Sequence, residues 1–198
     1  MKCVLIMKVE PVTLTGKRSK LVPLNREHTQ ALFEAGNYPE IWTYMPQNSS
    51  SLEDMEEIVE GALAQMVTGA ELPFSIVDQM SGKIVGSTRF LDISPANRSL
   101  EIGWTWLTPE VWRTRINTEC KYLLLKHCFE TLGTIRVQLK TDSRNLRSQA
   151  AMERIGAIRE GVLRKHRILP DGYIRDSVYF SIVDDEWPKV KARLEAML

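Results

Sequence analysis

The sequence predicts an α+β fold built on a mixed, mostly antiparallel central sheet flanked by helices. Three observations carry that prediction. Strand-length runs recur near residues 12–24, 73–79, 83–93, 99–107 and 134–141, the last with Ile135, Val137 and Leu139 on one face. Tight-turn chemistry at Ser81-Gly82 and at Pro170-Asp171-Gly172 joins neighbouring runs as hairpins. Helical patterns cluster before the three middle strands and then interrupt the later ones, which is not the strict alternation of a parallel sheet.

The elements follow in order. Residues 12–24 read as a strand or a hairpin bent around Gly16. Asn25 is an N-cap candidate for a helix carrying Ala31, Leu32 and Phe33. After the apolar turn PEIWTYMP, Ser50 and Glu53 have capping-box spacing ahead of a helix with Met55, Ile58, Val59, Leu63 and Met66, ended by Gly69. A central helix near 117–132 is apolar on two sides, Cys120, Leu124 and Cys128 on one and Tyr122, Leu125, Phe129 and Leu132 on the other, so it is expected to be covered on both. Gly133 stops it. Asp142 or Asn145 starts the next helix and Gly156 closes it. A hairpin is expected over Ile158–Val183, then a final helix near 185–197 with Pro188 in its first turn and Trp187, Val190, Leu194 and Met197 facing inward. The reading is one domain over 1–198, its core from about 12 to 183.

Composition narrows the function classes. Among 198 residues, 26 Lys and Arg balance 25 Asp and Glu, a formal net charge of +1 that provides no global basic field for nucleic acid. The apolar run at the N-terminus is short and broken by Lys8 and Glu10, and no stretch approaches the ~20 apolar residues of a membrane span. A cytoplasmic protein with no membrane or nucleic-acid partner is expected. The three cysteines, Cys3, Cys120 and Cys128, show no metal-ligand spacing, so no metal site is expected. Cys120 reads as a small core residue, with an activated thiolate near the helix start as the sharper alternative.

The most informative stretch is Leu100–Ser148. Its loop WRTRIN puts Arg113 and Arg115 where a helix begins. Unpaired backbone N–H groups, the positive end of the helix dipole and two guanidinium groups together suit a phosphate or pyrophosphate.

The order of elements and several strings resemble the GCN5-related N-acetyltransferase (GNAT) superfamily, in particular the branch that acetylates ribosomal-protein N-termini (RimJ/RimL-like). The strings are Gly86-Ser87-Thr88-Arg89, Glu101-Ile102-Gly103-Trp104, the loop Trp112–Asn117, Asn145-x-x-Ser148, Arg154-Ile155-Gly156-Ala157, and Glu160-Gly161 with Leu163-Arg164. The resemblance covers about Val12 to Val183. It implies acetyl-coenzyme A as donor, an amine as acceptor, and a sheet splayed between its fourth and fifth strands to admit the pantetheine arm. Trp106 and Leu107 would meet that arm through their backbone. Arg113, Thr114, Arg115, Ile116, Asn117 and Thr118 would cradle the pyrophosphate, and Asn145 would orient the arm or cap its helix. The family pattern in the loop is Gln/Arg-x-x-Gly-x-Gly/Ala. Here Trp112 holds the first position, Arg115 replaces the first glycine and Asn117 the final small residue. Arg115 either crowds the phosphates or binds them, and binding is the favoured reading.

Direct acetyl transfer needs a base for the amine and a proton for the departing sulfur. Glu101, alternating with Leu100 and Ile102, is the candidate base, with an ion pair to a residue such as Arg89 as its structural alternative. Ser148 is the candidate partner of the sulfur, where many relatives use a tyrosine. His127 reads as structural, and His166 as a strand residue near the acceptor entrance. Trp42, Tyr44 and Trp104 are candidates for the acceptor pocket, with core packing as their alternative. The expected function is an N-acetyltransferase acting on a protein N-terminus or a small amine. The alternatives are a non-catalytic coenzyme A-binding module with a degenerate loop, and transfer of a bulkier acyl group. A homodimer is the prior for a small soluble enzyme.

Overall fold

The computed structural model describes residues 7–198; Cys3 lies outside them. Eight strands form one sheet: β1 (Leu14–Thr15), β2 (Ser19–Pro23), β3 (Leu72–Asp78), β4 (Lys83–Ser94), β5 (Ser99–Leu107), β6 (Arg136–Asp142), β7 (Ile158–Ile168) and β8 (Ile174–Val183), in the order β1-β2-β3-β4-β5-β6-β8-β7. Every pairing is antiparallel except β5 with β6. The α+β, mostly antiparallel prediction therefore holds. Because residues 12–24 form a hairpin of two strands, the pair expected to splay is β5 and β6.

Those two strands pair over three positions, Ser99 with Arg136, Leu100 with Val137 and Glu101 with Gln138, and then part. Past Glu101, β5 keeps only its β4 neighbour and β6 only β8. A β-bulge re-aims β5 at the same place. Ser87 stands opposite Trp106 and Arg89 opposite Gly103, so Thr88 alone faces Trp104 and Thr105. Trp104 takes φ 51°, an unusual backbone for an aromatic residue. Gly86 permits the close approach of β4 and β5 beyond the bulge, since a Cβ there would run into the Trp106 carbonyl and lie 2.9 Å from Leu107 Cα. The wedge between β5 and β6 opens from this distortion.

The helices are α1 (Thr29–Gly36), α2 (Pro39–Trp42), α3 (Leu52–Val67), α4 (Ile116–Lys126), α5 (Leu146–Ile155) and α6 (Trp187–Glu195). Asn25 caps a 3-10 turn that leads into α1, its side chain accepting from the Glu27 amide. The capping box of α3 is one residue later than expected. Ser51 accepts from the Asp54 amide at 3.1 Å, and Asp54 accepts from the Ser51 amide at 3.0 Å. The central helix is not uniform: α4 gives way to a π-helical turn over His127–Leu132 before Gly133. Ile135 precedes β6 and is exposed, whereas Val137 and Leu139 are buried. Asn145, not Asp142, caps α5, with its Oδ1 accepting from the Ser148 amide at 3.0 Å. One core joins the sheet to α4 and α6, and a second gathers α1, α2 and α3 around Trp106.

Candidate active site

The parted strands β5 and β6 open onto a cavity of about 680 Å³. Its walls are β5 from Glu101 to Leu107, the loop after β5 with the start of α4, the first turns of α5, the segment Glu40–Pro46, and the β7–β8 hairpin at Arg167 and Arg175. Of the sequence-derived candidates, Glu101, Trp106, Leu107, Arg113, Thr114, Asn117, Asn145 and Ser148 line it.

The loop end is built for an anion through both main chain and side chains. The first amides of α4 and α5 have no helical carbonyl to bond; side chains take two of them, Thr114 Oγ1 that of Ile116 and Asn145 Oδ1 that of Ser148, and both helix starts, at Asn117 and at Ser148, reach the cavity. Arg113 holds φ 61°, a turn in which successive amides can face one anion. Arg115, which replaces the family glycine, sits at φ −73° and ψ −12°, so a glycine is not needed there for backbone reasons. Its guanidinium turns away and donates to the Leu198 carbonyl. Ile116 is buried in the core and Thr118 accepts from Arg154 Nη2 at 3.1 Å, so these side chains too are outside the cavity. Two other arginines stand here instead: Arg147, which the sequence did not single out, and Arg154, which entered only as part of a family string. Arg147 lies over the Trp112 ring, 4.0 Å from its centroid, and Arg154 is fixed by Thr118. The signal for Arg147 was its place two residues after the Asn145 cap.

Further in, Glu101 is 2% exposed, and its Oε2 accepts from Gln138 Nε2 and Lys140 Nζ, both at 2.8 Å. The partner suggested from sequence, Arg89, is engaged elsewhere: it donates to Glu71 at 2.7 Å and stacks over Trp104. Burial pushes the Glu101 carboxyl above its ordinary pKa, and the Lys140 ammonium pulls it back only in part. Lys121, on α4, also reaches the cavity. Its ammonium donates to Thr105 Oγ1 at 2.7 Å, and burial lowers its pKa from 10.5 to about 8. Ser148 is held in the first turn of α5 by its bond to Asn145.

The remaining candidates sort themselves out. Cys120 and Cys128 are buried in the core, and burial pushes the Cys120 thiol up to about 12, which removes the thiolate reading. His127 stacks on Phe90. His166 binds Ser177 through Nδ1 at 2.9 Å, within the β7–β8 hairpin. Trp42 is a core residue, tilted against Trp106 at 5.4 Å, whereas Tyr44 and Trp104 line the cavity.

The GNAT acetyltransferase domain family matches residues 18–158. The chain belongs to that family. GNAT relatives include the "Putative ribosomal N-acetyltransferase YdaF" of Bacillus subtilis, 28% identical over 147 residues that make up 74% of this chain and 78% of that protein. A GCN5-related N-acetyltransferase from Brucella melitensis superposes with a TM-score of 0.89 at 30% identity, covering 96% of this chain and 86% of that one. Mycobacterium smegmatis RimJ, solved in complex with CoA-disulfide, shares the fold with a TM-score of 0.82 at 24% identity, over 94% and 95% of the two chains. As a GNAT domain the chain is an acyltransferase enzyme. No helix among the described residues is long and apolar enough to cross a membrane.

Proposed function

We propose that the protein moves an acetyl group from acetyl-coenzyme A to a primary amine by direct transfer. The observation that carries this reading is the wedge. The β5–β6 ladder stops at Glu101, and the opening beyond it leads to two helix N-termini flanked by Arg113, Arg147 and Arg154. Unpaired strand edges suit an amide-bearing pantetheine arm, and a guanidinium-rich helix start suits a pyrophosphate. The glycine-poor loop fits the group as well, because Arg115 is in ordinary helical backbone and its side chain leaves the cavity. That weighs against a non-catalytic module with a degenerate loop. In this reading Arg115 and Thr118 contribute main-chain amides rather than side chains, the Ile116 amide being taken by Thr114 Oγ1, and Trp106 and Leu107 offer backbone partners to the arm.

When bound, acetyl-coenzyme A supplies the acetyl group as a thioester open to attack by an amine. Glu101 takes the proton that the amine loses as its nitrogen bonds to the carbonyl carbon, directly or through one water. Burial raises its pKa, which makes it a better base than an exposed carboxylate, and the Lys140 ammonium opposes that rise. The Ser148 hydroxyl donates to the sulfur as the carbon–sulfur bond breaks. The acceptor is a protein N-terminus or a small amine; kinship with ribosomal-protein enzymes favours neither on its own.

Titration calorimetry with acetyl-coenzyme A tests the reading. Micromolar binding is expected, weakened about 10-fold or more by Arg147→Ala or Arg113→Ala. No binding at millimolar donor would remove the cofactor site and the proposal with it.

A further inference from the structure

Where the β7–β8 hairpin walls the cavity, the charge arrangement is unusual. Arg167 on β7 and Arg175 on β8 are direct cross-strand partners, and both line the cavity. Like charges directly opposite one another on adjacent strands destabilise a sheet. Arg175 is also 5% exposed, so its guanidinium is taken out of water. Its Nη1 donates to the Tyr44 carbonyl at 3.4 Å, and its Nε has no hydrogen-bond partner among the described residues. No carboxylate pairs with it there either.

The nearby acids are otherwise occupied. Asp142 is gripped by Arg144 through both oxygens, at 3.1 and 2.8 Å. Glu101 is held by Lys140 and Gln138, and Asp92 lies 3.5 Å from the same Lys140 ammonium. Glu40 also lines the cavity. A buried donor left unpaired is costly, and a buried guanidinium more so. The fold holds a buried guanidinium in the cavity wall, its Nε satisfied by no described residue.

We infer that the acceptor carries a carboxylate close to its reacting amine, and that Arg175, assisted by Arg167, binds that carboxylate as a specificity-determining pair. The Nε–Nη edge of a guanidinium matches the two oxygens of a carboxylate, and the bond is strengthened by charge on both sides. A second cation opposite Arg175, harmful to the empty sheet, then becomes favourable. Two sources offer this chemistry: the α-carboxylate of a free amino acid, and an acidic side chain beside the N-terminus of a peptide. The inference rests on the acetyltransferase reading of the cavity.

The test compares acceptors that differ only in charge. One arm pairs glycine, aspartate and glutamate with their α-amides; the other pairs peptides bearing Asp or Asn at the second position. A preference for the acid of at least 10-fold in kcat/KM is expected in one arm, and that arm identifies the source. Arg175→Gln is expected to abolish the preference chiefly through KM, Arg175→Lys to restore part of it, and Arg167→Gln, at an exposed strand position, to weaken it several-fold. Equal use of acids and amides in both arms, or a preference that survives both glutamine variants, would overturn the inference. A binding arm needs no turnover: N-acetylglycine and N-acetylglutamate are titrated into the coenzyme A-loaded protein against their amides. If no acceptor is turned over, equal binding of acid and amide decides against the inference. Coenzyme A titration of the same samples separates the two failures. Lost donor binding sinks the acetyltransferase reading, whereas intact donor binding without a carboxylate preference sinks only the role of Arg175.

Discussion

Burial sets the chemistry of both Glu101 and Lys121, in opposite directions. For Lys121 it disfavours the charged form, and one hydroxyl, Thr105 Oγ1, faces the ammonium. The folded pKa, about 8, lies below that of the unfolded chain, so above it the unfolded state binds more protons and stability rises with pH until the lysine titrates in both states. The span corresponds to about 3 kcal/mol. Lys121→Met is therefore expected to be more stable than the wild type at pH 7, by roughly 1–3 kcal/mol, with the gap narrowing at pH 9.5; urea denaturation at both pH values measures it. A variant less stable at pH 7 would mean that the Thr105 bond outweighs the desolvation. For Glu101 burial raises the pKa, so activity should climb with pH along a limb placed above the ordinary carboxylate range. Glu101→Gln is expected to lower kcat by about 10²–10³-fold while coenzyme A affinity stays within about threefold. Lys140→Met leaves only the Gln138 hydrogen bond to oppose burial and should move the limb to higher pH. Glu101 was legible in the sequence because it interrupts two apolar neighbours on one strand. Lys140 was not, because its partner is set by which strand lies beside β5. Arg113 and Arg115 were legible as a pair, but the loop backbone decides that only the first faces the cavity.

At the scale of elements, local signals were readable and degenerate ones were not. Asn145 caps α5 and Gly133 ends the central helix because both act within one turn. The start of α3 offers three consecutive serines, Ser49 to Ser51, followed by Glu53 and Asp54, so two capping boxes fit the letters and packing selects the second. The π-helical turn left no mark in the period. A tertiary clamp was also invisible. The turn between β1 and β2 wraps the Glu119 carboxylate, which accepts from the amides of Lys17, Arg18 and Ser19 and from the Ser19 hydroxyl. Gly16 lets the carboxylate in, since a Cβ there would stand 2.7 Å from each carboxylate oxygen. Burial pushes the Glu119 pKa up, but the Ser19 hydroxyl and the three amides outweigh it and hold the carboxyl below its ordinary value. A depressed carboxyl stabilises the fold above its unfolded pKa, and that contribution is lost as pH falls through the folded one. Gly16→Ala is expected to cost about 1–3 kcal/mol, and Glu119→Gln to be destabilising at pH 7 by an amount that shrinks toward pH 3. Thermal unfolding of both variants across that range checks the clamp; a Gly16→Ala variant as stable as the wild type would show that the turn can give way.

For the whole molecule, the division of the sheet is the feature that matters. Strands β1 to β5 form one half and β6 to β8 the other, joined in the sheet by the three-position ladder from Ser99 to Glu101. The alternation of single strands was readable, and the family strings gave their order, but no local pattern encodes where a parallel ladder stops. The bulge at Thr88 and the left-handed backbone of Trp104 set that point. A donor seated in the wedge would pair with edges that now have no strand partner, and so would couple the two halves. Binding to the folded state alone stabilises it by about 2.7 kcal/mol at a hundredfold excess over Kd. Hydrogen exchange locates that gain. Saturating coenzyme A is expected to slow exchange about 10-fold or more at wedge-facing amides within residues 103–107 and at the first turn of α4, and less elsewhere in the chain. Uniform slowing across the chain would mean that the ligand stabilises the fold without lying in the wedge. No slowing at residues 103–107, with binding confirmed by calorimetry, would place the donor elsewhere on the molecule.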